Sequence, residues 1–501
     1  MSRSSLPSAL YTAAQSRALD RIAIERFDIP GFRLMQRAGH AAFAELLRRW
    51  PRARCLTIAC GGGNNGGDGL VVAGLARQRG MRVQLLVLAD DYAERLRGEA
   101  LAAWRWAQAV GVQPQRWRPG TELCGDVLVD ALLGTGIEGE VGGETAELIG
   151  QFNRSHRPVL AVDIPSGLCS DTGAVLGVAI EADVTVTFIA LKQGLLTHAG
   201  VDHCGELTFD ALLLPDEVYE EISPSAFRTD RDDLVKLLPP RRRSAHKGAF
   251  GHLLVIGGDH GMGGAALIAA QAAARSGAGL VSLATRPEHL PAALSRTPEV
   301  MATGIDSGQA LQPLLARPDL LLVGPGLGQG AWGEQLLQLA LASGKPLLLD
   351  ADALNLLSQR RHLQAGRHDW ILTPHPGEAA RLLGQQVAQI ERDRFRAVRE
   401  LQRQLGGTVV LKGAGSLSFD GDGLHLCSAG NPGMACGGMG DLLSGVIAAL
   451  RAQRLSPIDA ARVGVYAHAR AADLCAQEQG ERGLLATDLA ERVRRVLNGL
   501  D

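Results

Sequence analysis

One stretch of this chain combines a cluster of glycines with a single carboxylate at the start of an apolar run. The sequence GNPGMACGGMGDLLSG occupies residues 430–445, and Asp441 lies where the glycines end. Glycine lets the backbone approach a ligand closely, and the first amides of a helix can bind phosphate. Because a carboxylate repels phosphate, we expect Asp441 to take a proton from a hydroxyl group that attacks phosphorus. The alternative is a glycine-rich turn in which Asp441 only caps a helix.

Two other loops in the second half of the chain carry groups that suit the same chemistry. TPHPGE starts at Thr373, with His375 just before a predicted helix and Glu378 in its first turn. LKGAGS ends a predicted strand with Lys412 beside glycines. Taken alone, His375 is explained as an ordinary polar residue and Lys412 as a surface charge. Together with the Asp441 segment, these loops predict one cleft for phosphate transfer.

The first half of the chain has a glycine-rich loop of its own, GGGNNGGDGL, at residues 61–70. The loop follows an apolar strand and opens a helix, but it is neither GxGxxG nor a P-loop. Its two asparagines and Asp68 add donors and acceptors to bare backbone. This suits a ribose, a phosphate or a weakly hydrated cation, and an ordinary tight turn is the alternative.

Two aspartates lie near the carboxyl ends of later apolar strands, Asp130 in DALLGTG and Asp163 in DIPSGL. A buried aspartate must be paired or bound. The oxygen atoms of Asn65, Asp130 and Ser166 could together hold a monovalent cation, and Asp163 could act as an acid or base. For each aspartate alone, a helix cap or turn cap is the alternative reading.

The composition limits the classes of protein to which the chain can belong. With 501 residues, two or three domains are expected. A net charge of −2 gives no bulk attraction to nucleic acid or to an anionic membrane. The eight cysteines form no CxxC pair, which favours free thiols. We therefore expect a cytoplasmic protein without nucleic-acid or membrane partners.

The order of predicted elements indicates an α/β protein with two halves. After helices at about residues 13–26 and 32–50, continuous apolar strands alternate with helices, as in parallel sheets covered on both faces. Ligands in such folds bind at the carboxyl ends of the strands. The pattern breaks at residues 212–236, a charged segment that we interpret as a linker or bridging segment. It then resumes, and we place the domains at residues 1–222 and 228–501.

The first half resembles the NAD(P)H-hydrate epimerase family. The matching motifs are LYTAAQSRALD, LMQRAG, GGGNNGGDGLV, VDALLGTG, VDIPSGL and ADVTVTF, followed by Lys192 and Gly194. The resemblance implies a Rossmann-like fold that interconverts the C6 epimers of hydrated NADH and NADPH. It implies substrate contacts from Asn64, Asn65, Gly66, Gly67, Asp68, Gly134, Thr135, Gly136, Ile137, Glu138, Gly139, Glu140 and Asp163, and potassium bound by Asn65, Asp130 and Ser166.

The second half is similar to the NAD(P)H-hydrate dehydratase family, a branch of the ribokinase-like fold. The similarity is carried by TPHPGE and NPGMACGGMGD in this order. It implies a hydrated-nucleotide site lined by Ala265, Gly326, His375 and Asp441, and an ADP site formed by Lys412, Gly413, Ala414, Gly415, Ser416 and Gly440. Mg²⁺ is the implied metal. The chain has Gly62 where the first family often has proline, and Met439 where the second frequently has threonine.

The two resemblances together imply a bifunctional repair enzyme. It would epimerise R- and S-NAD(P)HX and dehydrate the S form at the expense of ADP, giving AMP and phosphate. We expect nucleotides as its ligands and a homo-oligomeric assembly. One alternative is a ribokinase-like small-molecule kinase fused to a nucleotide-binding module. Another is a first half that serves only as a ligand-binding or protein-binding module.

Overall fold

The computed structural model describes residues 6–137, 139–359 and 367–500. The chain forms two compact units, Met1–Ala226 and Phe227–Asp501. None of the helices in the described ranges has the length and hydrophobicity that a membrane span requires.

The first unit contains eight strands and eight helices in its described residues. The strands are β1 (Ala9–Leu10), β2 (Cys55–Cys60), β3 (Arg82–Val87), β4 (Pro114–Arg116), β5 (Val127–Ala131), β6 (Val159–Val162), β7 (Val184–Phe188) and β8 (Glu206–Asp210). The helices are α1 (Ala13–Glu25), α2 (Gly31–Arg49), α3 (Asn64–Gln78), α4 (Tyr92–Arg95), α5 (Gly98–Ala109), α6 (Gly143–Arg154), α7 (Gly200–His203) and α8 (Glu217–Glu220).

Seven strands of this unit form one parallel sheet in the order β4-β3-β2-β5-β6-β7-β8. The strand order reverses between β2 and β5, so their carboxyl ends open a crevice there. Strand β2 is buried along its whole length because helices cover both faces of the sheet. The predicted capping box is present, since Thr12 accepts from the amide of Gln15 and the Gln15 side chain accepts from the Thr12 amide.

The segment that we predicted to be a linker carries regular structure. Helix α8 lies within it, and strand β9 (Ala226–Arg228) pairs in parallel with a strand near the end of the chain. Helix α9 (Arg231–Leu237) follows, with Asp230 as its cap. Part of the charge of this segment therefore serves to cap a helix, through Asp230 and Asp233.

The second unit continues with nine further strands and the remaining helices. The strands are β10 (His252–Ile256), β11 (Leu280–Thr285), β12 (Met301–Gly304), β13 (Leu320–Val323), β14 (Leu347–Leu349), β15 (Trp370–Leu372), β16 (Thr408–Leu411), β17 (Ser416–Phe419) and β18 (Leu424–Cys427). The helices are α10 (Gly263–Arg275), α11 (Leu290–Arg296), α12 (Gly308–Leu311), α13 (Ala331–Ala342), α14 (Asp352–Gln359), α15 (Pro376–Leu383), α16 (Val387–Arg392), α17 (Arg394–Leu405), α18 (Met439–Ala452), α19 (Pro457–Gln479) and α20 (Ala486–Leu497).

The sheet of this unit runs β9-β18-β17-β16-β15-β14-β13-β10-β11-β12. It is parallel from β12 to β16, and β17 is antiparallel to both of its neighbours, β16 and β18. Helices α10 and α18 pack closely, because Gly445 lets α18 approach the backbone of Ala269. This contact places the start of α18 beside the carboxyl ends of the strands.

Candidate active sites

The glycine-rich loop of the first unit is shorter than its sequence suggests. Only residues 61–63 form a turn, and α3 begins at Asn64. A Cβ atom on Gly66 would lie 1.9 Å from the carbonyl oxygen of Gly61, and one on Gly61 would lie 1.9 Å from that of Leu132. These glycines therefore let the first turn of α3 fold back against the ends of two strands, with its amides facing outward.

A cleft of about 520 Å³ opens at this turn. Of the predicted substrate-binding residues, those lining it are Asn64, Asn65, Gly66, Asp68, Gly134, Thr135, Gly136, Ile137 and Asp163. Gly67, Gly139 and Glu140 are not part of this lining, and Gly67 instead faces the Met35 side chain. Glu138 lies outside the described residues. The structure thus brings most of the predicted set to one cavity, and their roles stay predictions.

Asp163 sits in this cleft next to a buried lysine. Its backbone has a φ of 66°, a left-handed conformation that turns the chain sharply after β6. Its Oδ1 accepts from Lys192 Nζ and, at 3.2 Å, from the amide of Phe188. Lys192 is only 1% exposed and also donates to Thr187 Oγ1 and the Phe188 carbonyl oxygen, both at 3.0 Å. These hydrogen bonds therefore hold the ammonium group of Lys192 against the Asp163 carboxylate.

Three further carboxyl groups line the same cleft, those of Asp20, Asp68 and Glu99. Burial raises the pKa of Asp20 to about 6, although nearby Lys192 acts in the opposite direction. Burial also raises the pKa of Asp68 well above its usual range, and the charges of Asp163 and Asp20 add to this effect. The cleft can therefore hold a protonated carboxyl group and a carboxylate side by side near neutral pH.

The three residues predicted to hold potassium meet beside the cleft. Asp130 and Ser166 are fully buried, with Ser166 Oγ 2.6 Å from Asp130 Oδ1. Asn65 Nδ2 donates to the Leu133 carbonyl oxygen at 2.9 Å, and the amide of Leu133 donates to Ser166 Oγ at 2.8 Å. The buried Oδ1 of Asn65 has no hydrogen-bond partner among the described residues. An orphaned buried oxygen next to a carboxylate fits a cation that takes oxygen ligands.

In the second unit, Asp441 occupies the third position of α18. The N-cap residue is Gly438, which has a φ of 87° and makes no side-chain capping hydrogen bond. The alternative in which Asp441 caps the helix is therefore wrong. Burial raises the pKa of Asp441 to about 6, and the nearby charge of Asp350 adds to this shift. A carboxylate at a helix N-terminus with a pKa near 6 is suited to act as a base at neutral pH.

Lys412 lies close to this carboxylate and between two others. Its Nζ donates to Asp350 Oδ1 at 2.8 Å and lies 3.8 Å from Glu378 Oε2. Burial lowers the pKa of Lys412, but the charges of Asp350 and Glu378 outweigh this effect and leave it raised. Burial raises the pKa of Glu378 to about 7. Lys412 is thus a fixed positive charge at the point where phosphate would be transferred.

His375 is the N-cap residue of α15 and forms a capping box with Glu378. Its Nδ1 accepts from the amide of Gly377 at 3.0 Å, and its own amide donates to Glu378 Oε2 at 2.8 Å. Burial lowers the pKa of His375, and the charge of Lys412 adds to this shift. Because Nδ1 accepts the hydrogen bond from Gly377, the ring proton lies on Nε2, which is 3.4 Å from Glu378 Oε1. The half-exposed ring can donate a hydrogen bond to a ligand.

The remaining predicted residues surround the same strand ends. Gly326 has a φ of 58°, and a Cβ atom there would lie 3.2 Å from Cβ of Ala265. A Cβ atom on Gly440 would lie 3.3 Å from Lys412 Nζ, so this glycine leaves room for the lysine. Ser416 Oγ accepts from the amide of Gly413 and donates to its carbonyl oxygen, which closes the loop formed by Lys412, Gly413, Ala414, Gly415 and Ser416.

Sequence reasoning missed three groups that shape these sites. Asp20 lies on α1, Asp350 follows β14, and Arg394 begins α17 behind the Lys412 loop. For Asp350 a signal existed, because it ends an apolar strand in a predicted parallel sheet. Arg394 gave no such signal, since an arginine in a charged helix is usually a surface residue.

Both halves of the chain match known protein families. Residues 253–495 match the family described as NAD(P)H-hydrate dehydratase, and residues 31–194 match the YjeF-related protein N-terminus. The bifunctional NAD(P)H-hydrate repair enzyme Nnr of Coxiella burnetii is 47% identical over 490 residues, covering 98% of this chain and 99% of the relative. The chain belongs to the bifunctional NAD(P)H-hydrate repair enzyme family. The predicted fusion of the two families is confirmed.

A second relative and a solved structure agree with this family. The Escherichia coli bifunctional NAD(P)H-hydrate repair enzyme Nnr is 44% identical over 499 residues, covering 99% of this chain and 95% of the relative. A ribokinase-like superfamily protein of Enterococcus faecalis matches with a TM-score of 0.51 and 30% identity, over 55% of this chain and 95% of that chain. The predicted α/β folds, Rossmann-like in the first half and ribokinase-like in the second, are confirmed.

Proposed function

We propose that this chain repairs hydrated nicotinamide nucleotides at two separate sites. The domains assigned to these activities are residues 1–222 for epimerisation and 228–501 for dehydration. The observation that carries the proposal is the position of Lys412, which lies near both His375 and Asp441, the latter in the first turn of α18. A base, a fixed cation and a helix N-terminus in one place are the parts that phosphoryl transfer to a hydroxyl group needs.

In the dehydratase reaction, the C6 hydroxyl oxygen of S-NAD(P)HX attacks the β-phosphorus of ADP, and Asp441 accepts the hydroxyl proton. Lys412 and the first amides of α18 stabilise the charge that develops on the transferred phosphoryl group. Ala265 and Gly326 belong to the hydrated-nucleotide side of the site, and residues 412–416 with Gly440 belong to the ADP side. AMP leaves first. Loss of phosphate from C6 and of a proton from C5 then restores the dihydronicotinamide.

Magnesium would enter this site with the nucleotide. Within the described ranges, no group of three or more His, Cys, Asp or Glu side chains is arranged to hold a metal ion. Mg²⁺ is usually bound through one or two carboxylates together with substrate phosphates. The carboxyl groups of Asp350 and Glu378, which meet at Lys412, fit this partial role. When bound, the ion neutralises phosphate charge during transfer.

In the epimerase reaction, the C6 hydroxyl group must leave one face of the ring and return to the other. Asp163 is placed to give and take the proton, because Lys192 and the Phe188 amide fix its carboxyl group in the cleft. Asp68, with its raised pKa, can donate a hydrogen bond to the bound nucleotide. The first amides of α3 would bind a phosphate of the substrate.

Potassium fits the oxygen set of Asn65, Asp130 and Ser166, and the unpartnered Oδ1 of Asn65 supports this assignment. The ion would supply positive charge at the cleft wall. The chain's own contribution is to hold the Leu133 backbone between Asn65 and Ser166, which shapes residues 134–137 of the cleft. We further expect the protein to be cytoplasmic and to form homo-oligomers.

The test is recovery of NADH, followed by absorbance at 340 nm. Purified protein is mixed with an R/S NADHX mixture, Mg²⁺ and K⁺, with ADP or ATP. Full recovery with ADP, faster than spontaneous epimerisation, supports both activities. Recovery that stops at the S fraction contradicts the epimerase. In Asp163→Ala we expect this partial recovery, and full epimerisation by that variant contradicts the role of Asp163.

A second candidate function is that of a ribokinase-like small-molecule kinase, because the Asp441 loop alone would also suit such an enzyme. The assay separates the two, because a kinase accumulates a phosphorylated product whereas the repair enzyme releases orthophosphate. Absence of NADH recovery with either nucleotide would favour the kinase.

A further inference from the structure

A buried arginine lies directly behind the proposed ADP-binding loop. Arg394 is 1% exposed, although it is the first residue of α17. Its Nη2 donates to the carbonyl oxygen of Lys412 at 3.0 Å and to that of Leu411 at 3.3 Å. Its Nη1 donates to Glu391 Oε2 at 3.1 Å. The guanidinium group thus binds the backbone at the end of β16, at Leu411 and Lys412.

The same guanidinium group leaves no room for a side chain at position 413. A Cβ atom on Gly413 would lie 2.8 Å from both terminal nitrogens of Arg394, and Gly413 has a φ of 137°. The loop therefore bends over the guanidinium plane at its second residue. On the other side of the strand end, the amide of Lys412 donates to the Pro374 carbonyl oxygen at 2.9 Å. The backbone of Lys412 is fixed from two directions.

Burying this arginine is unfavourable for stability. Its Nε is buried without a hydrogen-bond partner among the described residues, and a buried donor left unpaired costs free energy. The partner Glu391 remains partly exposed. A hydrophobic side chain would fill the same space without these costs. The contacts that require an arginine are those with the two carbonyl oxygens and with Gly413.

We infer that Arg394 is a positioning residue for the nucleotide site: it fixes the backbone of residues 411–413 so that Lys412 and the loop amides face the phosphates of ADP. This inference rests on the proposed dehydratase function. Lysine cannot replace arginine here, because one ammonium group cannot span two carbonyl oxygens and a carboxylate in a single plane.

The test compares R394Q and R394K with the matched control R396Q, since Arg396 is exposed on the same helix. Binding of ADP is measured by calorimetry, and kcat and KM are measured with S-NADHX. We expect R394Q to weaken ADP binding and to lower kcat/KM for ADP by about 10- to 100-fold, as for displaced catalytic groups. The KM for S-NADHX should stay near the wild-type value, R394K should be intermediate, and R396Q should behave as wild type.

Several outcomes would overturn the inference. A merely structural role would reduce the fraction of active protein, so kcat would fall while the Kd of ADP stayed unchanged. If R394Q does not fold, R394K decides, and wild-type ADP affinity in R394K contradicts the inference. Failure of the wild-type protein itself to bind ADP contradicts the proposed function, and the positioning role with it. Wild-type binding with unaffected R394 variants contradicts the positioning role alone.

Discussion

The ammonium group of Lys412 lies 2.8 Å from Oδ1 of Asp350, a residue 62 positions earlier in the chain. Asp350 is 1% exposed and the Lys412 side chain is 17% exposed, so water screens this pair weakly. The pair directs the lysine along the strand ends toward Asp441. Asp350 therefore aims the positive charge that the transferred phosphoryl group would meet.

Replacing the proposed base should separate catalysis from binding. We expect Asp441→Asn to lower kcat of the dehydratase by about 10²- to 10⁴-fold, because the amide cannot accept the hydroxyl proton. ADP affinity, measured by calorimetry, should not weaken, since Asp441 repels phosphate rather than holding it. The epimerase activity of the same preparation is the internal control. Normal turnover by this variant would disprove the assignment.

The dehydratase should lose activity in acid. The pKa of Asp441 is raised to about 6 by burial, so below that pH the group is protonated and cannot act as a base. We expect kcat to rise about tenfold per pH unit below 6 and to level off above 7. The measurement is kcat at saturating ADP and S-NADHX from pH 5 to 8. A flat profile over this range would contradict the role of Asp441 as base.

Removal of potassium should affect only one of the two activities. Replacing K⁺ by a larger organic cation should slow epimerisation, because the Asn65 Oδ1 and the Asp130 carboxylate lose the charge that they face. Dehydration of pure S-NADHX should continue unchanged. A potassium titration of the epimerisation rate measures the effect, and Asn65→Ala should weaken the response. Equal epimerisation rates with and without K⁺ would exclude the ion from this site.

Two glycines of one loop offer a matched pair for stability. A Cβ atom on Gly66 would lie 1.9 Å from the Gly61 carbonyl oxygen, whereas one on Gly62 would meet nothing within 4 Å. We expect Gly66→Ala to lower the free energy of unfolding by about 1–3 kcal/mol, as overpacking does. Gly62→Ala should change it by less than about 0.5 kcal/mol. Denaturant unfolding of both variants tests this, and equal stabilities would contradict it.

Features that depend on near neighbours in the chain were predictable from the sequence. The capping box at Thr12 and the helix start after His375 each involve residues three apart, so the sequence contains the whole arrangement. The convergence of strand ends was also predictable, because a parallel sheet places all carboxyl ends at one edge. Asp163 and Lys412 were found in this way, whereas Asp441 was found from the glycine-rich segment before its helix.

Other features depend on strand order and burial, which a single sequence does not display. The pairing of Lys192 with Asp163 requires β6 and β7 to be neighbours. The contact of Arg394 with the Lys412 loop requires α17 to pack against β16. The strand within the charged segment after β8 was not predicted, because it forms only through pairing with β18, about 200 residues later.

Each unit buries its own set of apolar side chains, one running from Tyr11 to Val218 and the other from Leu234 to Val496. A defect in one catalytic centre therefore leaves the other centre folded. Chains carrying Asp163→Ala and chains carrying Asp441→Asn should complement each other when mixed, the second kind supplying the S epimer that the first kind consumes. A cell holding both defective alleles would then clear damaged cofactor, provided that the epimer diffuses from one molecule to the next.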